Sequence, residues 1–176
     1  MSSTTVINPN KKVKEAISKT ITGIEDNPNA AEATFKVSSN LERGFQAEIE
    51  ARDFHFTADE PEELGGSNKG PNPVEYVLGA LAACQEIAIK AHASQLGIEL
   101  ESVQVEAEGN IDLHGFLDLS DERPGFKNIS YRTTIKSNEQ DAAKLQQLEN
   151  FSENNCPVLD IIQNATPVNG KVHFVN

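Results

Sequence analysis

The sequence predicts one domain built from helices and antiparallel strands, and three observations lead to this fold class. Apolar and polar residues alternate in short runs between residues 33 and 58, which is typical of strands with one exposed face. The stretch from Gly70 to Leu96 carries apolar residues at spacings of three and four, which predicts one long, largely buried helix. Alternation returns in residues 102–112 and 128–136 and predicts two longer strands.

The other predicted elements are shorter and follow from the same patterns. Further strands are predicted at residues 34–39, 45–50, 52–58 and 171–175, with a turn at residues 40–44. Two further helices are predicted, at residues 139–151 and 157–162. Apolar residues in the segment from His114 to Phe126, between the two long strands, indicate a lid, an interface or a hairpin with a bulky loop.

The first 30 residues are predicted to form a helical extension of the main domain, which covers residues 31–176. Within Lys11–Thr22 the apolar residues lie roughly on one face of a helix, and they are Val13, Ala16, Ile17 and Ile21. Asp26-Asn27-Pro28-Asn29 ends this helix. The apolar face is narrow, so the helix needs a surface to dock on, and a second subunit is one candidate.

The composition argues against several classes of partner. The length of 176 residues suits one domain, and the formal net charge is −12. An acidic chain with 15 scattered cations repels nucleic acid and anionic lipid, so we expect neither as a partner. The longest run without a polar residue near the long helix, Tyr76 to Cys84, is about half the length of a membrane span. The N-terminal residues show no signal-peptide pattern, and we therefore expect a cytoplasmic protein.

The long helix has clear start and stop signals. Asn72 is a good N-cap, Pro73 suits the first helical position, and Glu75 lies three residues after the cap and can complete a capping box. Gly97 ends the helix. The loop before it, residues 59–70, is acidic and then glycine-rich, but no Gly-Lys-Ser/Thr follows at the spacing of a phosphate-binding loop.

The two cysteines, Cys84 and Cys156, lie 72 positions apart, which excludes a Cys-x-x-Cys motif. Cys84 lies on the apolar stripe of the long helix, which favours an inert buried thiol. It lies far beyond the first turn, where the helix dipole acts, so a reactive thiolate there needs a cation from elsewhere. Cys156 precedes Pro157 at a helix start, where a cysteine is either a plain cap or a thiol of lowered pKa.

Other catalytic and metal motifs are missing from the sequence. The four histidines are dispersed and none has metal-ligand spacing: His55, His92, His114 and His173. His92 follows Cys84 by eight residues, which is too far for a direct thiol–imidazole pair. The candidate cations for a thiolate are Arg43 and Arg52, although each is by default a surface arginine paired with a carboxylate.

These motifs, in this order, resemble the OsmC/Ohr family, which comprises the osmotically inducible protein C and the organic hydroperoxide resistance proteins. The stretches that carry the resemblance are Gly70-Pro71-Asn72-Pro73-x-Glu75, Ala82-Ala83-Cys84, Asn155-Cys156-Pro157, Asp59-Glu60-Pro61 with Gly65-Gly66, and Arg123-Pro124-Gly125-Phe126. The resemblance covers about residues 33–176 and is closer to the OsmC-like branch than to the Ohr branch. It implies an α+β fold in which antiparallel sheets wrap around two long central helices in an intertwined homodimer, with active sites at the subunit interface.

The resemblance also implies an enzyme, a peroxiredoxin-like organic hydroperoxide reductase. Cys84 would be the peroxidatic cysteine and Cys156 the resolving one, linked by a disulfide intermediate. Arg43 matches the family's arginine and would lower the pKa of Cys84 and bind the peroxide. The implied partners are a second copy of the chain, an organic hydroperoxide and an external dithiol reductant, and no metal or organic cofactor is needed.

One position departs from the family pattern. Peroxidase members carry a carboxylate ten residues before the first cysteine, which holds the arginine, and here that residue is Val74. The nearest acid is Glu75, about 100° further around the helix, and capping can occupy it. The alternatives are therefore a non-catalytic dimer that binds a small apolar ligand at its interface, a redox sensor, or a purely structural dimer.

Overall fold

The computed structural model describes residues 9–175, and within this range the chain forms five α-helices and five strands. The helices are α1 (Pro9–Asp26), α2 (Pro73–Leu96), α3 (Leu113–Phe116), α4 (Ala142–Asn154) and α5 (Pro157–Gln163). The strands are β1 (Ser38–Arg43), β2 (Gln46–Ala51), β3 (Phe54–Ala58), β4 (Leu100–Ile111) and β5 (Phe126–Ser137). No helix in this range is both long enough and apolar enough to cross a membrane.

The strands form two separate antiparallel sheets. β1, β2 and β3 pair in sequence order, as the predicted meander requires, and β4 pairs with β5 along nearly the whole length of both strands. In the second sheet Val105 lies opposite Thr133 and Ala107 opposite Tyr131. Because side chains alternate between the two faces of a strand, these residues all lie on one face of the β4–β5 sheet.

The capping residues of α2 act as the sequence predicts. The Asn72 Oδ1 accepts the Glu75 N–H at 2.9 Å, and a Glu75 carboxylate oxygen accepts the Asn72 N–H at 2.8 Å. Gly97 has a φ of +71°, the left-handed conformation that glycine adopts without strain, and its N–H bonds the Ala93 carbonyl. Both ends of this 24-residue helix are therefore fixed by local interactions.

The loop before α2 is organised by Asp59, whose side chain is only 1% exposed. Its carboxylate accepts three backbone N–H groups, from Glu60 at 2.8 Å and from Ser67 and Lys69 at 3.1 Å. Gly66 is required for this packing, since a Cβ atom there would lie 1.8 Å from the Glu60 carbonyl oxygen. The glycine-rich loop thus has a structural role and stabilises the segment that leads into α2.

One face of α2 is buried, and its residues recur every four positions: Leu81, Gln85, Ile89 and Ala93. This face packs against β4 and α4. Ile89 and Ala93 join Ile98 and Leu148 in one apolar cluster, and Leu81 joins Cys156 and Leu159 in a second. Gln85 lies between the two, fully buried, and neither its Oε1 nor its Nε2 has a hydrogen-bond partner among the described residues.

The predicted helix at residues 11–22 lies within α1, which packs on the last part of α2. Ser18 Oγ donates a hydrogen bond to Gln95 Oε1 at 3.5 Å, and Val13 and Ile17 are half-buried. The docking surface that the sequence calls for is therefore α2 of the same chain. The division into residues 1–30 and residues 31–176 stays a prediction.

One predicted strand, at residues 34–39, is displaced in this structure, and another, at residues 171–175, is wrong. Residues 34–37 and 171–175 adopt neither helix nor strand, and the first strand begins only at Ser38 and continues through the predicted turn to Arg43. A strand needs a hydrogen-bonded neighbour, and no described residue pairs with these segments. Their apolar side chains are left uncovered, with Phe35 91% and Phe174 93% exposed.

The segment from His114 to Phe126 is also partly uncovered. It begins with the short helix α3 and continues as an irregular loop to β5. Phe116, Leu117 and Leu119 are all exposed, which excludes a fully packed hairpin loop in the single chain. The lid and the interface interpretations of this segment therefore both remain predictions.

Candidate active site

The fold brings the two cysteines into contact. Both thiols are free, and the Cys156 thiol donates a hydrogen bond to the Cys84 sulfur across 3.0 Å. Cys84 lies in the middle of α2 and is half-buried, whereas Cys156 precedes α5 and is 3% exposed. Two residues that are 72 positions apart in sequence thus form one dithiol site.

Cys156 is held by the junction between two helices. α4 ends at Asn154, and the Asn155 N–H bonds the Phe151 carbonyl at 2.9 Å. Cys156 follows at once as the N-cap of α5, and its sulfur accepts the Leu159 N–H at 3.4 Å. This confirms the predicted position of Cys156 at a helix start. The sulfur is a cap and a neighbour of Cys84 at the same time.

The surroundings of the thiols are apolar. The residues that pack around Cys84 and Cys156 are Leu81, Leu159, Ile129, Tyr131, Val158 and Ile162. Burial raises the pKa of the Cys84 thiol, and the Cys156 thiol beside it acts in the same direction. The backbone N–H of Val158 opposes this but does not reverse it. Within one chain, Cys84 therefore stays protonated at neutral pH.

Arg43 is not joined to the thiols within the chain. It is the last residue of β1, is exposed, and borders a shallow depression with Glu42, Gln46 and Glu48. No hydrogen bond or ion pair between described residues joins its guanidinium to Cys84 or to Glu75. Arg52, the other candidate, lies in the turn between β2 and β3 with its guanidinium 5.0 Å from the centre of the Phe54 ring.

Glu75 is engaged in starting α2. One of its carboxylate oxygens accepts the Asn72 N–H in the capping box, so the carboxylate is directed back along the chain. It borders a shallow cavity with Leu78, Gly79 and Ala82, and it lies nine residues, or about two and a half turns, before Cys84. Of the four predicted site residues, the structure therefore unites Cys84 and Cys156 and leaves Arg43 and Glu75 apart from them.

Two residues beside the thiols had no assigned role in the sequence analysis. Tyr131 packs against the cysteine cluster from β5, and burial raises the pKa of its hydroxyl, with the charges of Glu153 and Cys156 adding to the effect. Arg123 and Tyr131 border a cavity of about 280 Å³ whose other walls include Leu81, Leu159 and Ile162. The alternation in residues 128–136 places Tyr131 on one face of its strand, but it does not reveal that this face covers the cysteines.

Comparison with known proteins identifies related sequences. A family model described as OsmC-like protein matches residues 66–171. The protein named uncharacterized protein YmaD from Bacillus subtilis (strain 168) is 29% identical over 107 residues, which are 58% of this chain and 67% of the relative.

Solved structures match over most of their length. An OsmC-like protein from Mycoplasma pneumoniae aligns with a TM-score of 0.64 at 19% identity and covers 75% of this chain and 89% of its own. A protein from Legionella pneumophila, described as an organic hydroperoxide resistance protein OsmC, aligns with a TM-score of 0.55 at 23% identity, over 76% and 91% of the two chains. These matches confirm the predicted α+β fold, and the chain belongs to the OsmC-like protein family.

Proposed function

We propose that this protein is a thiol-dependent peroxidase that reduces organic hydroperoxides to alcohols. The observation that carries the proposal is the pair of free thiols, Cys84 and Cys156, 3.0 Å apart in an apolar cluster. Membership of the OsmC-like family supports it, because structural neighbours from Legionella pneumophila and Elizabethkingia anophelis are named organic hydroperoxide resistance proteins.

The proposed reaction begins at Cys84. Its thiolate attacks one oxygen of the peroxide, the O–O bond breaks, and the released alkoxide takes a proton and leaves as the alcohol. Cys84 then carries a sulfenic acid, oxidised by two electrons. The Cys156 sulfur attacks the Cys84 sulfur, a disulfide forms, and the hydroxyl leaves as water. An external dithiol restores both thiols by thiol–disulfide exchange and is itself oxidised.

The surroundings of Cys84 favour an alkyl peroxide over hydrogen peroxide. The side chains around the thiols are mainly aliphatic, and an alkyl group that enters such a site leaves water at a gain of roughly 25 cal/mol per Å² of apolar surface. The same surroundings raise the pKa of Cys84, so the reaction needs a cation that stabilises the thiolate. We assign this role to Arg43.

We further propose that Arg43 reaches Cys84 from a second copy of the chain. One chain leaves large apolar residues uncovered in the segments at residues 34–37 and 171–175, such as Phe35 and Phe174, and on α2 itself, such as Ile87. Monomeric proteins rarely expose apolar surface on this scale, and a homodimer covers it. A dimer also brings an exposed β1 residue of one copy towards the half-buried Cys84 of the other.

The decisive experiment measures consumption of cumene hydroperoxide in the presence of dithiothreitol. We expect turnover by the wild type and none by Cys84→Ser. Dithiothreitol can reduce a sulfenic acid directly, so Cys156→Ser is tested without it and is expected to consume one equivalent of peroxide and to form no intramolecular disulfide. Mass spectrometry after one equivalent of peroxide is expected to show a Cys84–Cys156 disulfide in the wild type. Full turnover by Cys84→Ser, or a wild type that consumes no peroxide, would rule the proposal out.

A second candidate function, a redox sensor, is favoured by one observation. Glu75 is engaged by the Asn72 N–H, and Val74 stands where peroxidase members of the family have an acid. No ion pair among the described residues joins Arg43 to a carboxylate. A sensor would form the disulfide once with peroxide and be reduced slowly. The two functions are separated by the rate at which dithiothreitol reduces the oxidised protein, which must match or exceed turnover in a peroxidase.

A further inference from the structure

We propose that the stacked rings of His92 and Phe151 position Cys156 beside Cys84 and thereby set the rate at which the disulfide forms. His92 and Phe151 are positioning residues in this proposal, since neither is bonded to a cysteine sulfur. The proposal rests on the proposed peroxidase function for its physiological meaning, but the geometry stands without it. It concerns the second step of the cycle, from sulfenic acid to disulfide.

The two rings form the closest aromatic contact in the described part of the chain. Their centroids lie 3.9 Å apart and their planes differ by 3°, a face-to-face stack. His92 belongs to α2 and Phe151 to α4, and both side chains are half-buried. Burial lowers the pKa of the His92 imidazole, so the ring is neutral near pH 7 and stacks without a buried charge.

The ring stack and the thiol pair are two contacts between the same two chain segments. His92 follows Cys84 by eight residues on α2, and Phe151 precedes Cys156 by five residues on α4 and its junction with α5. Phe151 contacts His92, and Cys156 contacts Cys84. Because the later residue of one segment contacts the earlier residue of the other, α4 runs antiparallel to α2. Leu148, three residues before Phe151, belongs to the same buried cluster as Ala93 and Ile98, which follow His92 in the chain, as the antiparallel alignment requires.

Displacement of Phe151 is transmitted to Cys156 because the connection between them is short and bonded. Asn155 alone separates the end of α4 from Cys156, and its N–H is tied to the Phe151 carbonyl at 2.9 Å. Cys156 in turn caps α5. A shift of α4 along α2 therefore moves the Cys156 sulfur relative to Cys84, whose own position is fixed within α2.

This arrangement separates the two chemical steps. The attack of Cys84 on peroxide requires no movement of α4, whereas the attack of Cys156 requires both sulfurs in line. A misplacement of about 1 Å can slow a reaction between positioned groups by about a hundredfold. We therefore expect loss of the stack to slow disulfide formation by at least about tenfold and to leave the first step within about twofold of the wild type.

The test follows both steps after rapid mixing of reduced protein with one equivalent of t-butyl hydroperoxide. Phe151→Leu removes the ring and keeps an apolar side chain, and His92→Leu removes the other ring. Acid quenching and mass spectrometry give the sulfenic acid, trapped with dimedone, and the disulfide. We expect Phe151→Leu and His92→Leu to accumulate sulfenic acid, and sulfinic acid when peroxide is in excess.

Three controls make the result specific. Phe151→Tyr keeps a stacking ring and is expected to form the disulfide at the wild-type rate. Leu145→Ala removes apolar surface from α4, at a residue outside both apolar clusters, and is expected to leave both steps unchanged. Three outcomes would overturn the proposal. Phe151→Leu could slow both steps equally, or both ring variants could form the disulfide at the wild-type rate. Leu145→Ala could also slow disulfide formation as much as Phe151→Leu does.

A second experiment, with an oxidant other than peroxide, tests the positioning role independently of the proposed peroxidase function. Diamide, an azo compound, adds to one thiolate, and the second thiol then displaces it as a hydrazine to form the disulfide. If the wild type does not react with peroxide but Phe151→Leu and His92→Leu still slow the diamide-driven disulfide, the peroxidase proposal fails and the positioning role holds. If Phe151→Leu does not fold, the comparison of His92→Leu with Phe151→Tyr decides.

Discussion

The two halves of the proposed site differ in how much of each the single chain supplies. The thiol half is complete: α2, α4 and α5 bring Cys84 and Cys156 to 3.0 Å inside an apolar cluster. The arginine half is not, because Arg43 is exposed on β1 and Glu75 is engaged in a helix cap. We infer that disulfide formation belongs to one chain, whereas activation of the peroxidatic thiol depends on a second copy.

The largest effect is expected when the arginine is removed. We expect Arg43→Gln to slow peroxide reduction about a hundredfold, the usual effect of deleting one charge-stabilising group from an active site. The diamide-driven formation of the Cys84–Cys156 disulfide should reach the same endpoint in both proteins. Arg52→Gln, in the next turn of the same sheet, is the matched control and should keep wild-type turnover. Equal loss in both arginine variants would contradict the assignment of Arg43.

Mixing two inactive variants tests whether Arg43 and Cys84 of one site come from different chains. A dimer with one Cys84→Ser chain and one Arg43→Gln chain keeps one intact site only if arginine and cysteine come from different chains. After joint refolding, random pairing is expected to restore about a quarter of wild-type turnover, since half of the dimers are mixed and each has one site of two. No restored activity would place Arg43 and Cys84 in the same chain's site.

The next effect concerns the pKa of Cys84. Burial raises this pKa in the single chain. Without a cation, half of the thiol is therefore ionised only at a pH above the ordinary thiol pKa of about 8.5. The rate of iodoacetamide alkylation rises with pH through the pKa, because only the thiolate reacts. Both proteins compared carry Cys156→Ser, so that only Cys84 reacts. We expect the midpoint of the rise to lie at least about one pH unit lower when Arg43 is kept than when it is replaced in Arg43→Gln. Coincident profiles would show that Arg43 does not act on the thiol.

A smaller effect is expected at the first turn of α2. Val74→Glu supplies a carboxylate ten residues before Cys84 and leaves Glu75 in the capping box, so we expect turnover to rise about threefold to tenfold through better placement of Arg43. Glu75→Gln is the comparison. Gln can keep the capping box, so the loss of one negative charge from the first turn should destabilise the helix start by about 0.3–1 kcal/mol, with little change in turnover. Loss of activity in a folded Glu75→Gln protein would instead assign Glu75 to the arginine.

The smallest effect concerns stability rather than activity. Gln85 is fully buried between the two apolar clusters, and both polar atoms of its amide lack a hydrogen-bond partner among residues 9–175. Because an unsatisfied buried polar group costs about 1–3 kcal/mol, Gln85→Met should raise the free energy of unfolding by about 1 kcal/mol. Urea unfolding at fixed protein concentration measures this change. A destabilised variant would indicate that the amide has a polar partner in the assembled protein.

Local features of the fold could be predicted from the sequence, because their causes are local. Asn72, Glu75 and Gly97 bound α2 as their capping chemistry requires, and the alternation in residues 102–112 and 128–136 gives the β4–β5 pair. The segments at residues 34–37 and 171–175 show the limit of this reasoning. Alternation indicates a half-buried face, but it does not say which chain provides the neighbouring strand.

The site could be predicted only in part, for a related reason. The residues around Cys84 and Cys156 indicate two separate thiols. A spacing of 72 residues does not predict that they are in contact, so their pairing is implied only by the family resemblance. The contact arises from the antiparallel packing of α4 on α2, which depends on side chains such as Phe151 and Leu148. Apolar positions in a predicted helix identify such residues as core, but not their partners.

The 3.0 Å contact between the reduced sulfurs also bears on signalling. A disulfide bond is about 2.05 Å long, so oxidation requires the sulfurs to approach by only about 1 Å. A switch that reports its redox state through shape needs an element with two distinct arrangements, and this small movement provides none. Oxidised and reduced forms are therefore expected to present nearly the same surface. We therefore expect a signal from this protein to pass by thiol–disulfide exchange with another protein.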